Sequence, residues 1–155
     1  MRKKKNYKRD FQPDLAYNSV AMTRFVNYLM RKGEKSVAER VMYRTMNLVK
    51  QKTNEEPLAV FDKAIANASP VLEVVSRRVG GANYQVPREV RGDRKFMLAC
   101  RWILLAARSK KGRPMAEKLA EEIIAASKNE GVAIKKKLDT HRMAEANRAF
   151  AHFAW

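Results

Sequence analysis

The sequence predicts a mainly α-helical single domain of six helices, with one protruding two-stranded β-hairpin and a basic N-terminal arm. Apolar residues recur at helical spacing through most of the chain. One stretch, residues 71–90, has strand character instead and encloses two adjacent glycines. The first ten residues are mostly lysine and arginine. The length of 155 residues fits one domain, which we divide into an arm over 1–12 and a helical domain over 13–155.

The charge of the chain points to a polyanionic partner. Lysine and arginine number 33 against 16 acidic residues, giving a net charge of +17. Such an excess repels itself in a compact fold and calls for a partner of opposite charge, for which nucleic acid is the first expectation. No membrane partner is expected, because no apolar run approaches the ~18 residues that span a bilayer. A single cysteine, Cys100, and no hydrophobic leader favour a reducing, cytoplasmic location, with an organelle interior as the other possibility.

The N-terminal arm is predicted to become ordered on a phosphate backbone, because a run of like charges does not fold alone. A solubilising tail or a nuclear-localisation patch is the alternative. The arm residues predicted to bind RNA are Arg2, Lys3, Lys4, Lys8 and Arg9.

Three helices are expected before the hairpin. The first covers about 19–31 and the second about 35–51, with Val20 and Val37 in their apolar stripes. The third begins at Pro57, a favoured first position, and continues to about residue 68.

The hairpin is predicted from two valine-rich runs, 71–79 and 84–90, around a four-residue loop. Pro87 requires a free strand edge, because it has no N–H to donate. An isolated ribbon is marginal in water, so it must pack on helices or on a partner. Its basic residues predict contact with a polyanion, although a solvated charged face is the alternative. These residues, including those at the exit of the hairpin, are Arg77, Arg78, Arg88, Arg91, Arg94 and Lys95.

A fourth helix is predicted over about 94–108, with Asp93 as its N-cap. Arginines spaced by seven, among them Arg101, lie along one side and favour a backbone contact. Cys100 falls in the apolar stripe, where we expect a small hydrophobic residue and not a nucleophile.

The loop after this helix is basic and the fifth helix is acidic. The loop carries Lys110, Lys111 and Arg113. The fifth helix, 115–127, is predicted to turn an acidic face away from nucleic acid, toward solvent or a basic protein.

The sixth helix is predicted to start near Val132 and to run to Phe150 or beyond. The aromatic end of the chain can stack on RNA bases or fold back on the core, and the sequence does not separate the two. His141 and His152 lie eleven apart, which is not a helical ligand spacing. We therefore expect no metal, no cofactor and no enzymatic activity.

Four segments resemble small-subunit ribosomal protein seven of the bacterial type. They read MRKGEKSVAERVMY (30–43), SRRVGGANYQVPREVR (76–91), RWILLAAR (101–108) and THRMAEANRAFAHFAW (140–155). The resemblance extends over nearly the whole chain, with helices and hairpin in the same order; it is weakest in the arm and over 51–56.

This resemblance implies a primary RNA-binding protein that nucleates assembly of the small-subunit head on the 3′ major domain of 16S ribosomal RNA. It implies a place near the decoding centre and exit site, next to small-subunit ribosomal proteins nine and eleven, as a monomer within the ribosome. Residues that would approach exit-site tRNA and mRNA are Gly80, Gly81, Ala82, Tyr84, Arg142 and Arg148.

Contacts with ribosomal RNA are expected from the arm and the hairpin cations, and also from Lys35, Arg101, Lys110, Lys111 and Arg113. Met115 is expected to lie against RNA and not in the core, and Tyr84 to stack on a base. Two alternatives belong to other classes: a DNA-bending architectural protein, whose hairpin would enter a minor groove, and an RNA-modifying enzyme.

Overall fold

The computed structural model describes residues 10–153. The predicted arm contacts at positions 2–9 lie outside the described residues. In the described part the chain forms six α-helices, one hairpin and a C-terminal 3₁₀ helix. In order these are α1 (Val20–Leu29), α2 (Lys35–Thr53), α3 (Pro57–Ala68), β1 (Leu72–Val79), β2 (Ala82–Glu89), α4 (Gly92–Ser109), α5 (Met115–Ser127), α6 (Val132–Ala146) and the 3₁₀ helix Arg148–Phe153.

The core forms around α5, which packs against α2, α3 and α4. Its Leu119 and Ile123 are fully buried, as their helical spacing predicts. Phe25 of α1 and Phe61 of α3 meet edge to face with ring centroids 5.3 Å apart. Cys100 is also fully buried, and burial raises the pKa of its thiol to about 12. The prediction that Cys100 is a core residue is confirmed.

Two predicted core positions are wrong. Val20 is 43% exposed and Val37 is 46% exposed, whereas Met22 and Ala38 in the same first turns are buried. The first helix starts only at Val20 because Ser19 caps it, its Oγ accepting a hydrogen bond from the backbone N–H of Met22. In α2 the buried stripe begins instead at Ala38.

Helix α4 begins earlier than predicted, and Asp93 is not its N-cap. Arg91 holds the cap position in an extended conformation, and Asp93 lies within the first turn. A carboxylate is favourable there because the free N–H groups carry partial positive charge. Asp93 also accepts a hydrogen bond from Arg24 Nη2 at 3.1 Å.

The two strands pair antiparallel, and their register differs from prediction at the tip. Val79 pairs with Ala82, so the loop is the two residues Gly80 and Gly81, not four. Both glycines have positive φ, 59° and 90°, as tight hairpin turns of this length require. Asn83 therefore belongs to β2, opposite Arg78.

Helix α6 ends at Ala146, so the prediction that it reaches Phe150 is wrong. The chain turns at Asn147, whose Nδ2 donates to the Met143 carbonyl at 2.7 Å. The 3₁₀ helix that follows packs on β2, while α6 packs on β1. The hairpin is thus supported by the end of the chain, which answers the expectation that a two-stranded ribbon needs a partner.

Candidate nucleic-acid interface

Arg77 and Arg78 lie near the tip end of β1, and they point in opposite directions because side chains alternate along a strand. Arg77 is half-buried and its Nη1 donates to the Phe153 carbonyl at 3.2 Å. Arg78 is exposed on the other face, with Ser76 and Gln85. Of this pair, Arg78 has the position suited to a phosphate, while Arg77 ties the hairpin to the 3₁₀ helix Arg148–Phe153.

Tyr84 lies on the same face as Arg77 and contacts the C-terminal aromatic residues. Its ring centroid is 5.1 Å from that of Phe150 and 5.5 Å from that of Phe153. The described part of the aromatic end therefore docks on the hairpin, and not on the helical core. Tyr84 is half-buried by this contact, which leaves less of its ring for the base stacking that the sequence suggested.

A groove of about 920 Å³ at the base of the hairpin brings three predicted residues together: Arg88, Arg91 and Arg148. All three are exposed. Glu89 and Glu145 also line the groove, so its charge is mixed but predominantly positive.

His141 fixes the wall of this groove. Its Nε2 accepts a hydrogen bond from the Val71 backbone N–H at 3.1 Å. Burial, together with nearby Lys137, lowers the pKa of His141, which favours the neutral ring that this hydrogen bond requires. The side chain thus joins α6 to the start of the hairpin.

Arg94 is engaged with the hairpin and not freely available. Its Nε donates to both carboxylate oxygens of Glu73, at 2.7 and 2.8 Å. Glu73 is buried, so this pair anchors β1 to α4. The neighbouring Lys95 is half-buried.

Two carboxylates of the acidic face predicted for α5 are engaged by neighbouring basic and backbone groups. Glu121 accepts from Arg113 Nη1 and lies 3.6 Å from Lys110 Nζ. Glu122 is buried: its Oε1 accepts from the Ala133 backbone N–H, and its Oε2 is 3.3 Å from Lys110 Nζ. These carboxylates hold the basic loop and the start of α6, because the loop after α4 folds back over α5.

The remaining predicted residues are spread over other surfaces. Lys35 lies 3.6 Å from Glu39 within α2, and Lys111 and Arg101 are exposed. Gly80, Gly81 and Ala82 are exposed at the hairpin tip, and Arg142 is exposed on α6. Met115 lies outside the buried core cluster, and its contact with RNA stays a prediction. It is half-buried against the core, since it occupies the first turn of the central helix, and its remaining surface lines a groove.

Several residues that line these grooves, or lie near them, are not among the site residues predicted from the sequence. Arg24 stacks over Phe96, with its guanidinium carbon 4.6 Å from the ring centroid. Arg31 and Lys118 join Met115 in one groove, and Tyr28 and Trp102 line another. The amphipathic pattern marks these helices, but it does not say which helices will be neighbours.

No metal centre is visible in this arrangement: residues 10–153 contain no group of three His, Cys, Asp or Glu side chains that could hold an ion. Residues 1–148 match the family described as Ribosomal protein S7p/S5e. The chain belongs to this family. The resemblance deduced from the hairpin and helix segments is thereby confirmed.

Relatives cover the full length of the chain. It is 55% identical to the small ribosomal subunit protein uS7 of Thermotoga maritima over 155 residues, all of both chains. It is 56% identical over 148 residues to the protein of that name from Natranaerobius thermophilus, covering 96% of this chain and 95% of that one.

Membership of this family makes the chain a ribosomal protein of the small subunit, with a structural and not a catalytic role in translation. The predicted cytoplasmic, ribosomal location follows from the family. Within residues 10–153, no helix has both the length and the apolar character to cross a bilayer.

Proposed function

We propose that the chain is a primary binder of small-subunit ribosomal RNA, and that it nucleates assembly of the head on the 3′ major domain of the 16S species. The family supports a place in the ribosome. The net charge of +17 supports RNA as the direct partner, since each neutralised phosphate releases counterions.

The observation that carries this proposal is the exposed cationic surface around the hairpin. Arg78 lies on the open face of the ribbon, and Arg88, Arg91 and Arg148 lie around the groove at its base. None of these four forms an ion pair with the described residues. Scattered cations on a thin projecting element suit the irregular phosphate path of a folded RNA better than the regular groove of a duplex.

We further propose that the hairpin tip and α6 approach exit-site tRNA and mRNA. Gly80, Gly81 and Ala82 form a narrow exposed tip, which can enter a space between nucleic acids. Arg142 is exposed on α6, and Arg148 lines the groove at the base of the hairpin. Small-subunit ribosomal proteins nine and eleven are the proposed protein neighbours, with one copy of the chain in each ribosome.

The alternative of a DNA-bending architectural protein is less well supported. A minor-groove arm needs a free hairpin, whereas one face of this hairpin is covered by the C-terminal 3₁₀ helix. The family also points to the ribosome.

Footprinting of the purified chain on full-length small-subunit ribosomal RNA tests the proposal, with duplex DNA as competitor and at two salt concentrations. We expect discrete protection confined to the 3′ major domain that survives the DNA. Diffuse protection that disappears with DNA would overturn it, and would leave a general polyanion binder.

A further inference from the structure

A second groove, between α1 and α4, has the composition of a site for a single base. It measures about 620 Å³, within the range of ~300–1,000 Å³ that is usual for ligand sites. Tyr28 of α1 and Trp102 of α4 line it, both half-buried against the core. Leu105 beside them is 63% exposed, so its side chain is accessible at the groove.

Two arginines border this apolar groove. Arg101 is exposed, and it forms no ion pair with the residues of the described part. Arg108 is fixed by a hydrogen bond from its Nη2 to the Leu29 carbonyl at 3.1 Å. The residues that line the groove include no acidic side chain, so its charge is uncompensated by the described protein.

We propose that this groove receives one unstacked base from a single-stranded segment of RNA. The base would contact Tyr28, Trp102 and Leu105, and the phosphates on either side would contact Arg101 and Arg108. Aromatic surface combined with arginine is the usual means of holding single-stranded RNA. The side-chain amide of Asn27, which also lines the groove, is available to an edge of the base.

The groove continues past Arg108 into a neighbouring one. Arg108 lines both, and the second also contains Arg31, Met115 and Lys118. Glu34 lines the second groove as well, so three cations, Arg108, Arg31 and Lys118, and one carboxylate line the route of a chain of phosphates that leaves the base site. This inference rests on the proposed function, because it names a contact of the same RNA partner.

Fluorescence of Trp102 tests the proposal directly. The full chain carrying Trp155→Phe keeps Trp102 as its single tryptophan, because the sequence has two. The probes are a short oligouridylate, a short oligoadenylate, a fully paired RNA duplex and polyglutamate. The binding of each probe to the chain is followed separately by the fluorescence anisotropy of the probe. We expect saturable quenching with the single strands and little with the duplex, because only an unstacked base enters the groove. Unchanged Trp102 emission with oligonucleotide bound would overturn the proposal.

A matched pair of variants in the same background separates the groove from general charge effects. Leu105→Glu places a carboxylate at the groove, and Leu138→Glu makes the same change at a leucine on α6 that is 56% exposed. We expect the Kd from Trp102 quenching to rise about tenfold for Leu105→Glu relative to Leu138→Glu, from lost stacking and added repulsion. Equal Kd values would contradict the proposal.

Two further results would each overturn the base-site proposal in a different way. Quenching by polyglutamate but not by RNA would overturn it in favour of an acidic protein segment. Protection of the 3′ major domain with silent Trp102 would overturn this inference and leave the proposed function intact.

Discussion

The ring of Tyr84 in β2 lies 5.1 Å from the ring of Phe150, so the hairpin is held by the last turn of the described chain. Arg77 reinforces this contact through the Phe153 carbonyl. A ribbon that would be marginal alone thereby gains a packed face and keeps the other face open.

Removing the Tyr84 ring is expected to loosen the hairpin without unfolding the helices. Aromatic pairs of this kind contribute about 0.5–1.5 kcal/mol beyond the area that they bury. Tyr84→Ala should therefore speed hydrogen exchange of the amides in β2 and in residues 148–153 by several-fold, while amides in α5 keep their protection. Tyr84→Phe is the control, because it keeps the ring. Unchanged exchange in β2 would show that the hairpin is stable without this contact.

Arg94→Ala is expected to lower the free energy of unfolding by about 1–3 kcal/mol, because it leaves the buried Glu73 carboxylate without its donor. Arg101→Ala is the matched control on the same helix. Arg101 is exposed and its loss should change stability by less than about 0.5 kcal/mol. Urea denaturation of both variants measures the difference. Equal stabilities would mean that the pair of Arg94 and Glu73 does not stabilise the fold.

The Tyr43 hydroxyl gives the fold a dependence on alkaline pH. It donates to Asp14 Oδ1 at 2.8 Å, and this bond, with burial, raises the pKa of Tyr43 to about 12. An unfolded tyrosine has a pKa of ~10. The folded state therefore favours the protonated phenol. This stabilisation is complete below pH ~10 and is lost as the pH rises through about 12.

Ultraviolet titration of the chain against Tyr43→Phe isolates this group. We expect Asp14→Ala to lower the pKa of Tyr43 toward ~10, since the acceptor is gone. If the pKa of Tyr43 is unchanged in Asp14→Ala, the hydrogen bond is not its cause.

Gly131 is required for space as well as for its backbone conformation. Its φ is 94°, and a Cβ there would lie 2.9 Å from Glu122 Oε1 and 3.1 Å from the Ala125 Cβ. Gly112 also has a positive φ, 81°, but no atom lies within 4 Å of its added Cβ. Both alanine variants should lose about 1–3 kcal/mol, because alanine is strained at a positive φ. Gly131→Ala should lose about 1 kcal/mol more through overlap. Equal thermal unfolding of the two variants would exclude a packing role.

The helices and the hairpin could be predicted from the sequence, because period and turn residues are local signals. Helix α3 follows Pro57 as expected, and the valine-rich strands flank their glycines. The ends of elements were less predictable. Asn147 ends α6 early because the 3₁₀ turn brings Phe150 to Tyr84, a contact that depends on the tertiary fold.

The sequence predicts which cations belong to the candidate site. It does not predict which of them are held by carboxylates of the fold and which stay exposed. Composition shows that arginines are abundant; it does not show that Arg94 meets a buried Glu73 or that Glu121 holds Arg113. For Arg77 and Arg78, strand alternation alone already places the two side chains on opposite faces. Which face is covered depends on where the end of the chain docks.

The salt dependence of ribosomal RNA binding tests the central claim most directly, that exposed cations around the hairpin hold RNA phosphates. The test variant is Arg78→Ala with Arg88→Ala, and the control is Arg40→Ala with Lys63→Ala, two exposed cations outside the proposed surface. The slope of log K against log salt is negative. We predict that it becomes less steep by about two for the hairpin pair and stays unchanged for the control. Equal slopes for the wild-type chain and the hairpin pair would contradict the account.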